Sequence, residues 1–313
     1  MFLKDSALLA LGVGADLLLP AGSDGQTVPN SAGTEPPRLK APANACDCHH
    51  HIYDAVRFPQ PSDATAPLQP NARVEEYRLL QRRLQTSRSI VVTPSAYATD
   101  NRVTLDAIAQ LRGRARGVAV VRPGVTDVEL KTLAAGGITG IRFSLTTPST
   151  AATTVDMIEP LSRRVAALGW HVQINMTADE IVAAEALWNR VPSPLVFDHI
   201  GHIPGRAGVG HPAYKVIRRL IDKGRTWVKL SVTYDSTDDG PPGYADVVRL
   251  GQDLVNAVPE RLVWGSNWPH PNEPQKPDDA ALFDLMARWA PNPATRNRIL
   301  VQNPATLYGF GDA

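Results

Sequence analysis

From residue 44 onward the chain alternates between two hydrophobic patterns. Short apolar runs rich in Val, Ile and aromatic residues read ACDCHHHI (45–52), RSIVVTP (88–94), RGVAVVRP (116–123), GITGIRFSL (137–145), WHVQINM (170–176), PLVFDHIG (194–201), TWVKLSV (226–232) and RLVWGS (261–266). Their length and β-branched content predict buried strands. Between them, over 105–113, 127–137, 155–169, 178–190, 215–224 and 244–258, apolar residues recur at three- and four-residue steps, and Gly often closes the segment. These stretches predict helices, and two more helical segments follow the last strand. Strands that are apolar on both faces and separated by helices belong to a parallel sheet covered on both sides. Eight of them close a single-domain (β/α)8 TIM barrel over residues 44–313. The alternative is an open doubly wound sheet, which carries a Gly-rich phosphate loop after its first strand. Here HHHIYD stands in that place.

Residues 1–43 break the rhythm and read as a leader. Residues 7–19 are apolar apart from Asp16, a stretch too short to span a bilayer comfortably. Ser23 to Lys40 is rich in Gly, Pro, Ser and Thr and reads as a tether. MFLK followed by DSALLA is similar to the end of a twin-arginine export signal, without the Arg pair. Two readings stand side by side: a periplasmic protein whose translation starts upstream of Met1, and a cytoplasmic protein with a disordered or surface-packed N-terminus. Elsewhere the composition is that of a globular domain, 43% hydrophobic and 20% charged. With a net charge of +1 and no long basic run, no nucleic-acid or membrane partner is expected. The partner is expected to be a small molecule. Cys46 and Cys48 are too few for a disulfide framework and are expected to pack in the core.

In a barrel, chemistry sits at the C-terminal ends of the strands. Those ends carry His49, His50 and His51, then Ser95 and Tyr97, Arg122, Arg142 and Ser144, Gln173 and Asn175, His199 and His202, Lys229, Ser231 and Tyr234, and finally Asn267 and His270. The period of two puts His49 and His51 on the inner face, with Asp47 below them and His50 outside. A lone inward His is usually a hydrogen-bonded core residue. Two of them facing a third, His199, point to a site. The planar fork of Arg142 suits a carboxylate. Arg122, Tyr97, Tyr234 and Asn175 are further candidate substrate contacts.

The segments DCHHHIYD, DHIG and WGSNWPH resemble the amidohydrolase superfamily, and more narrowly its branch of 2-pyrone-4,6-dicarboxylate hydrolases and galactarolactone isomerases. PSAYATDNR (94–102), GIRFSL (140–145) and NPATLYGF (303–310) fit that branch too. The resemblance runs from about residue 45 to the end. It implies an enzyme acting on the acyl carbon of a small anionic lactone, with histidines and arginines in place of a metal. Metal-using members of the superfamily take a strand-eight Asp; here that place holds Asn267. No cofactor is therefore expected, and zinc, if bound, is expected on His49, His51 and His199. These histidines are expected to polarise the lactone carbonyl. Asn267 has no basic lone pair, so it cannot activate water. Isomerisation is then expected over hydrolysis, with His270 as the residue that could restore a base. A non-catalytic sugar-acid binder is the third alternative.

Overall fold

The computed structural model describes residues 27–311. The segment read as an export signal lies in residues 1–26, outside the described residues. Eight strands, β1 (Cys46–His50), β2 (Arg88–Val92), β3 (Ala115–Ala119), β4 (Ile138–Ser144), β5 (His171–Asn175), β6 (Leu195–Phe197), β7 (Thr226–Leu230) and β8 (Leu262–Trp264), pair in chain order, each parallel to the next. The seam between β8 and β1 closes just above the strands. The Asn267 amide donates to the His49 carbonyl at 2.7 Å, and the His51 amide donates to the Trp268 carbonyl at 2.8 Å. This crossing needs Gly265, where a Cβ would stand 2.6 Å from Cβ of His49. The expected eight-stranded barrel is thus the observed one.

The crossovers are helical: α1 (Val74–Leu84), α2 (Arg102–Gln110), α3 (Asp127–Ala135), α4 (Ile158–Ala166), α5 (Ala178–Ala183), α6 (Glu185–Trp188), α7 (Pro212–Asp222) and α8 (Ala245–Ala257). Then come α9 (Asp279–Trp289), α10 (Pro293–Asn297) and α11 (Asn303–Tyr308). The longer ones lay an apolar stripe inward; α7, for example, buries Ala213, Val216, Ile217, Leu220 and Ile221. The barrel interior holds Cys46, Cys48, Ile90, Val92, Val118, Val196 and Val263, and Tyr308 and Phe310 pack against them. The two cysteines are free and buried, as expected.

The inward position expected for Asp47 is not observed. The register of β1 shifts between Asp47 and His50, so the strict alternation fails there. Asp47 accepts from Tyr77 of α1, and from the amide and hydroxyl of Ser266. It fastens β1 to the outer helix and to the end of β8. His50 stacks on Tyr77 with ring centroids 3.6 Å apart. The described part of the tether is fastened too. Val28 is buried, the Pro29 carbonyl accepts from the Trp268 indole at 2.7 Å, and the amides of Arg38 and Leu39 donate to Asp284. Among the described residues no helix is long and apolar enough to cross a membrane.

Candidate active site

At the C-terminal mouth of the barrel lies a cavity of about 420 Å³. Its wall includes His51, Tyr53, Ser95, Arg142, Ser144, Asn175, His199, His202, Asp235 and Asn267. The backbone around it is strained. His199, Ile200, His202, Val232, Asn267 and His270 all have φ between 49° and 65°. Ile200 and Val232 are β-branched, for which this region is costly. Strain of this kind survives only where the surrounding fold over-determines it, and it gathers at functional sites.

Below the cavity is a buried charged cluster. Asp198 Oδ2 accepts from Arg142 Nε and from Gln173 Nε2, each at 3.0 Å. Its Oδ1 lies 3.4 Å from Lys229 Nζ, an ion-pair contact without an aligned hydrogen bond, and 3.3 Å from His49 Nδ1. Lys229 also donates to Gln173 Oε1 at 2.7 Å. Burial alone would raise the Asp198 carboxyl, but the cations around it, Lys229 first and then Arg142, more than offset it and hold it well below its ordinary range. Asp198 spends only Nε of Arg142. The two Nη groups have no partner among the described residues and remain at the cavity wall.

The histidine protons follow from their partners. His51 Nδ1 faces the Val92 carbonyl at 2.8 Å, which can only accept, so that nitrogen donates. Burial, reinforced by Arg142, lowers His51 to about 3, so its ring is neutral and Nε2 carries a lone pair. His49 Nε2 lies 3.2 Å from that lone pair and must donate to it. His49 is likewise held neutral by burial and then by Lys229. Its Nδ1 is therefore bare and accepts from Lys229 Nζ at 3.2 Å. His199 is neutral for the same first reason, burial. Its Nδ1 bonds Ser231 Oγ at 2.9 Å, and its Nε2 has no partner among the described residues.

Donors for a metal are present together. His49, Asp198 and His199 offer ligand atoms that all lie within 4.8 Å of one another. The 3.2 Å between Nε2 of His49 and Nε2 of His51 also suits two nitrogens of a tetrahedral zinc, which stand about 3.3 Å apart. These donors would serve one ion; Asn267, being neutral, offers no carboxylate for a second.

The structure does not bring every expected residue to the cavity. Arg122 points away and pairs with exposed Asp63 at 2.8 Å. Tyr97 is wholly buried, and its hydroxyl accepts from the Asp54 amide. His49 is sealed beneath His51, so it has no direct reach to a substrate carbonyl. His270 is also sealed: Nδ1 meets the Tyr234 hydroxyl at 2.9 Å and Nε2 meets Asp279 at 3.2 Å. Tyr234 stands behind Asn267, accepting from its Nδ2 at 2.9 Å. Asn175 reaches the wall, where it bonds Ser144 and His202.

Two functional candidates, Asp198 and Asp235, escaped the strand-end reading, and a third, Lys229, was found there without a role. Asp198 lies inside the DHIG segment but one residue before the His that drew attention. Lys229 is a charged residue inside the apolar run TWVKL, and a buried charge demands a partner; that was the available signal for its role. Asp235 lies in the irregular segment after β7, where periodicity carries no information.

The amidohydrolase family profile matches residues 46–310. The chain is 31% identical to a 4-sulfomuconolactone hydrolase of Rhizobium radiobacter over 93% of this chain and 99% of that one. It is 31% identical to a 2-pyrone-4,6-dicarboxylate hydrolase of Comamonas testosteroni, over 88% and 94% respectively. It is 30% identical to a D-galactarolactone isomerase of Agrobacterium fabrum, over 87% and 93%. An apo crystal structure of Agrobacterium tumefaciens ATU3138 superposes with a TM-score of 0.81 at 29% identity, covering 88% of this chain and 100% of that one. The chain is an enzyme of the amidohydrolase family, in the branch that holds 2-pyrone-4,6-dicarboxylate hydrolases and D-galactarolactone isomerases.

Proposed function

We propose that the enzyme isomerises a carboxylated sugar lactone without a metal, moving the acyl carbon from the ring oxygen to another hydroxyl of the same molecule. One observation carries this reading. At strand eight the cavity wall offers the neutral amide of Asn267, and His270 behind it has both ring nitrogens engaged. Neither can take a proton from water.

Charge supports the metal-free form. Arg142 and Lys229 against Asp198 leave one net positive charge among neutral histidines. A substrate carboxylate cancels that charge, whereas a zinc dication adds to it in a low-dielectric site. Were zinc held by His49, His51 and His199, it would supply Lewis-acid polarisation of the lactone carbonyl. The chain's own residues offer a route without it. The Nη pair of Arg142 receives the carboxylate as a fork. With Ser231 donating to Nδ1, His199 turns an Nε2–H toward the lactone carbonyl oxygen, where charge develops. The substrate hydroxyl attacks the acyl carbon, the bond to the ring oxygen breaks, and the hydroxyl proton ends on that oxygen. Water is neither consumed nor released. The attacking group is already bound, so its effective concentration, on the order of 10⁵ M or more when well oriented, stands in for a strong base.

A specific observation favours a second reading, hydrolysis. Asp235 lines the cavity, and burial together with Glu273 raises its carboxyl to about 6. At neutral pH it is mainly a carboxylate able to accept a proton from water. Two of the relatives are named as lactone hydrolases. NMR of purified enzyme with galactarolactones and with 2-pyrone-4,6-dicarboxylate separates the readings. A transposed lactone supports isomerisation, and an open-chain acid as sole product overturns it.

A further inference from the structure

Behind the cavity wall four side chains form a connected line. Asp279 is fully buried, its Oδ1 has no partner, and its Oδ2 lies 3.2 Å from His270 Nε2. His270 Nδ1 lies 2.9 Å from the Tyr234 hydroxyl. That hydroxyl lies 2.9 Å from Asn267 Nδ2. A carboxylate only accepts, so the single proton of a neutral His270 ring sits on Nε2 and leaves Nδ1 bare. Tyr234 has one proton, and Nδ1 takes it. The Tyr234 oxygen can then only accept, so Asn267 must present its NH₂ to it. Asn267 Oδ1, without a partner among the described residues, is left at the cavity wall. We propose that Asp279, His270 and Tyr234 form a one-way hydrogen-bond relay that turns Asn267 Oδ1 into the cavity as the acceptor for a hydroxyl of the substrate. The substrate half of this proposal rests on the lactone reading above; the relay does not.

The relay also discriminates Asn from Asp at position 267. A carboxylate there would face the Tyr234 oxygen with no proton between them. Tyr234 must then donate toward residue 267, and His270 must donate toward Tyr234, while Nε2–H still serves Asp279. The reversed line holds one extra proton, on His270. The other charged groups near this ring are Asp235 and Glu273, and Lys276, which donates to the His270 carbonyl at 2.6 Å.

The test is ¹⁵N NMR of histidine-labelled whole enzyme at neutral pH, with the His270 signals assigned from their loss in H270Q. In the unmodified enzyme His270 is expected to carry a proton on Nε2 only. In N267D both nitrogens are expected to be protonated, and N267D/Y234F is expected to return to one. A doubly protonated or Nδ1–H His270 in the unmodified enzyme overturns the relay, as does no change in N267D. Should N267D fail to fold, Y234F carries the test. Its kcat on the lactone is expected to fall about tenfold as Asn267 loses its fixed orientation, with KM within about twofold. H270Q, which can still accept and donate, is expected to retain more kcat than H270A. Equal losses in kcat and 1/KM, or equal activity of H270Q and H270A, overturn positioning. Absence of any lactone turnover removes the lactone reading and leaves the NMR result standing.

Discussion

Lys229 Nζ stands 3.2 Å from His49 Nδ1, and both side chains are completely buried. This contact fixes the proton of His49 on the far nitrogen, toward His51. It places a built-in cation beneath the histidines. The ammonium tolerates burial because Asp198 and Gln173 meet it. Removing one partner of such a cluster leaves an uncompensated charge.

Replacing Lys229 by Met is therefore expected to lower unfolding stability by about 3–5 kcal/mol. Asp198 would retain only Arg142 as a cation. Chemical denaturation checks this, and an unchanged midpoint would contradict the cluster's role.

Arg142→Met is expected to reduce kcat/KM roughly 30- to 1,000-fold, equivalent to about 2–4 kcal/mol, through loss of a charge-assisted fork on the substrate carboxylate. R142K keeps the charge but not the fork and is expected to recover only part of the activity. Steady-state kinetics on the lactone would show this. An R142M enzyme with unaltered KM would place the carboxylate elsewhere.

Stability is expected to fall as the pH drops below about 6.5. Burial holds His51 and His171 at about 3 and His202 at about 4 in the folded chain, below the unfolded value of about 6.5. Between those values the unfolded chain binds more protons, so unfolding free energy rises with pH there. The contribution is fully present above about 6.5 and is lost progressively toward pH 3–4. Melting temperatures across pH 4–8 test this, and a flat profile from 6.5 to 4.5 would count against neutral buried histidines.

Activity is expected to survive exhaustive dialysis against a chelator, and the active protein to carry far less than one zinc per chain. Stoichiometric zinc whose removal abolishes turnover would refute the metal-free reading, since donors for one ion are present.

The barrel was legible because eight apolar runs and their intervening helices each announce themselves locally, and β1 through β8 fall where those runs stand. His51, Arg142, His199 and Asn267 were legible at the cavity for the same reason: strand-end position is a local property. Asp47 was misplaced because one register shift in β1 reverses parity, and nothing in DCHHH signals it. His270 and Tyr97 were misread because position at a strand end does not say whether a side chain meets solvent or a neighbour. Their partners, Asp279 and the Asp54 amide, come from other segments of the chain. The Asp198–Lys229 contact spans β6 and β7 and emerges only when the barrel closes.

The central claim is that a hydroxyl of the substrate, not water, attacks the lactone. Turnover in H₂¹⁸O, followed by mass spectrometry and NMR of the product, tests it most directly. The expected product is a transposed lactone free of ¹⁸O, with a gain of ¹⁸O-labelled open acid when Asn267 is replaced by Asp. An ¹⁸O-labelled carboxylate as the principal product of the unmodified enzyme would contradict it.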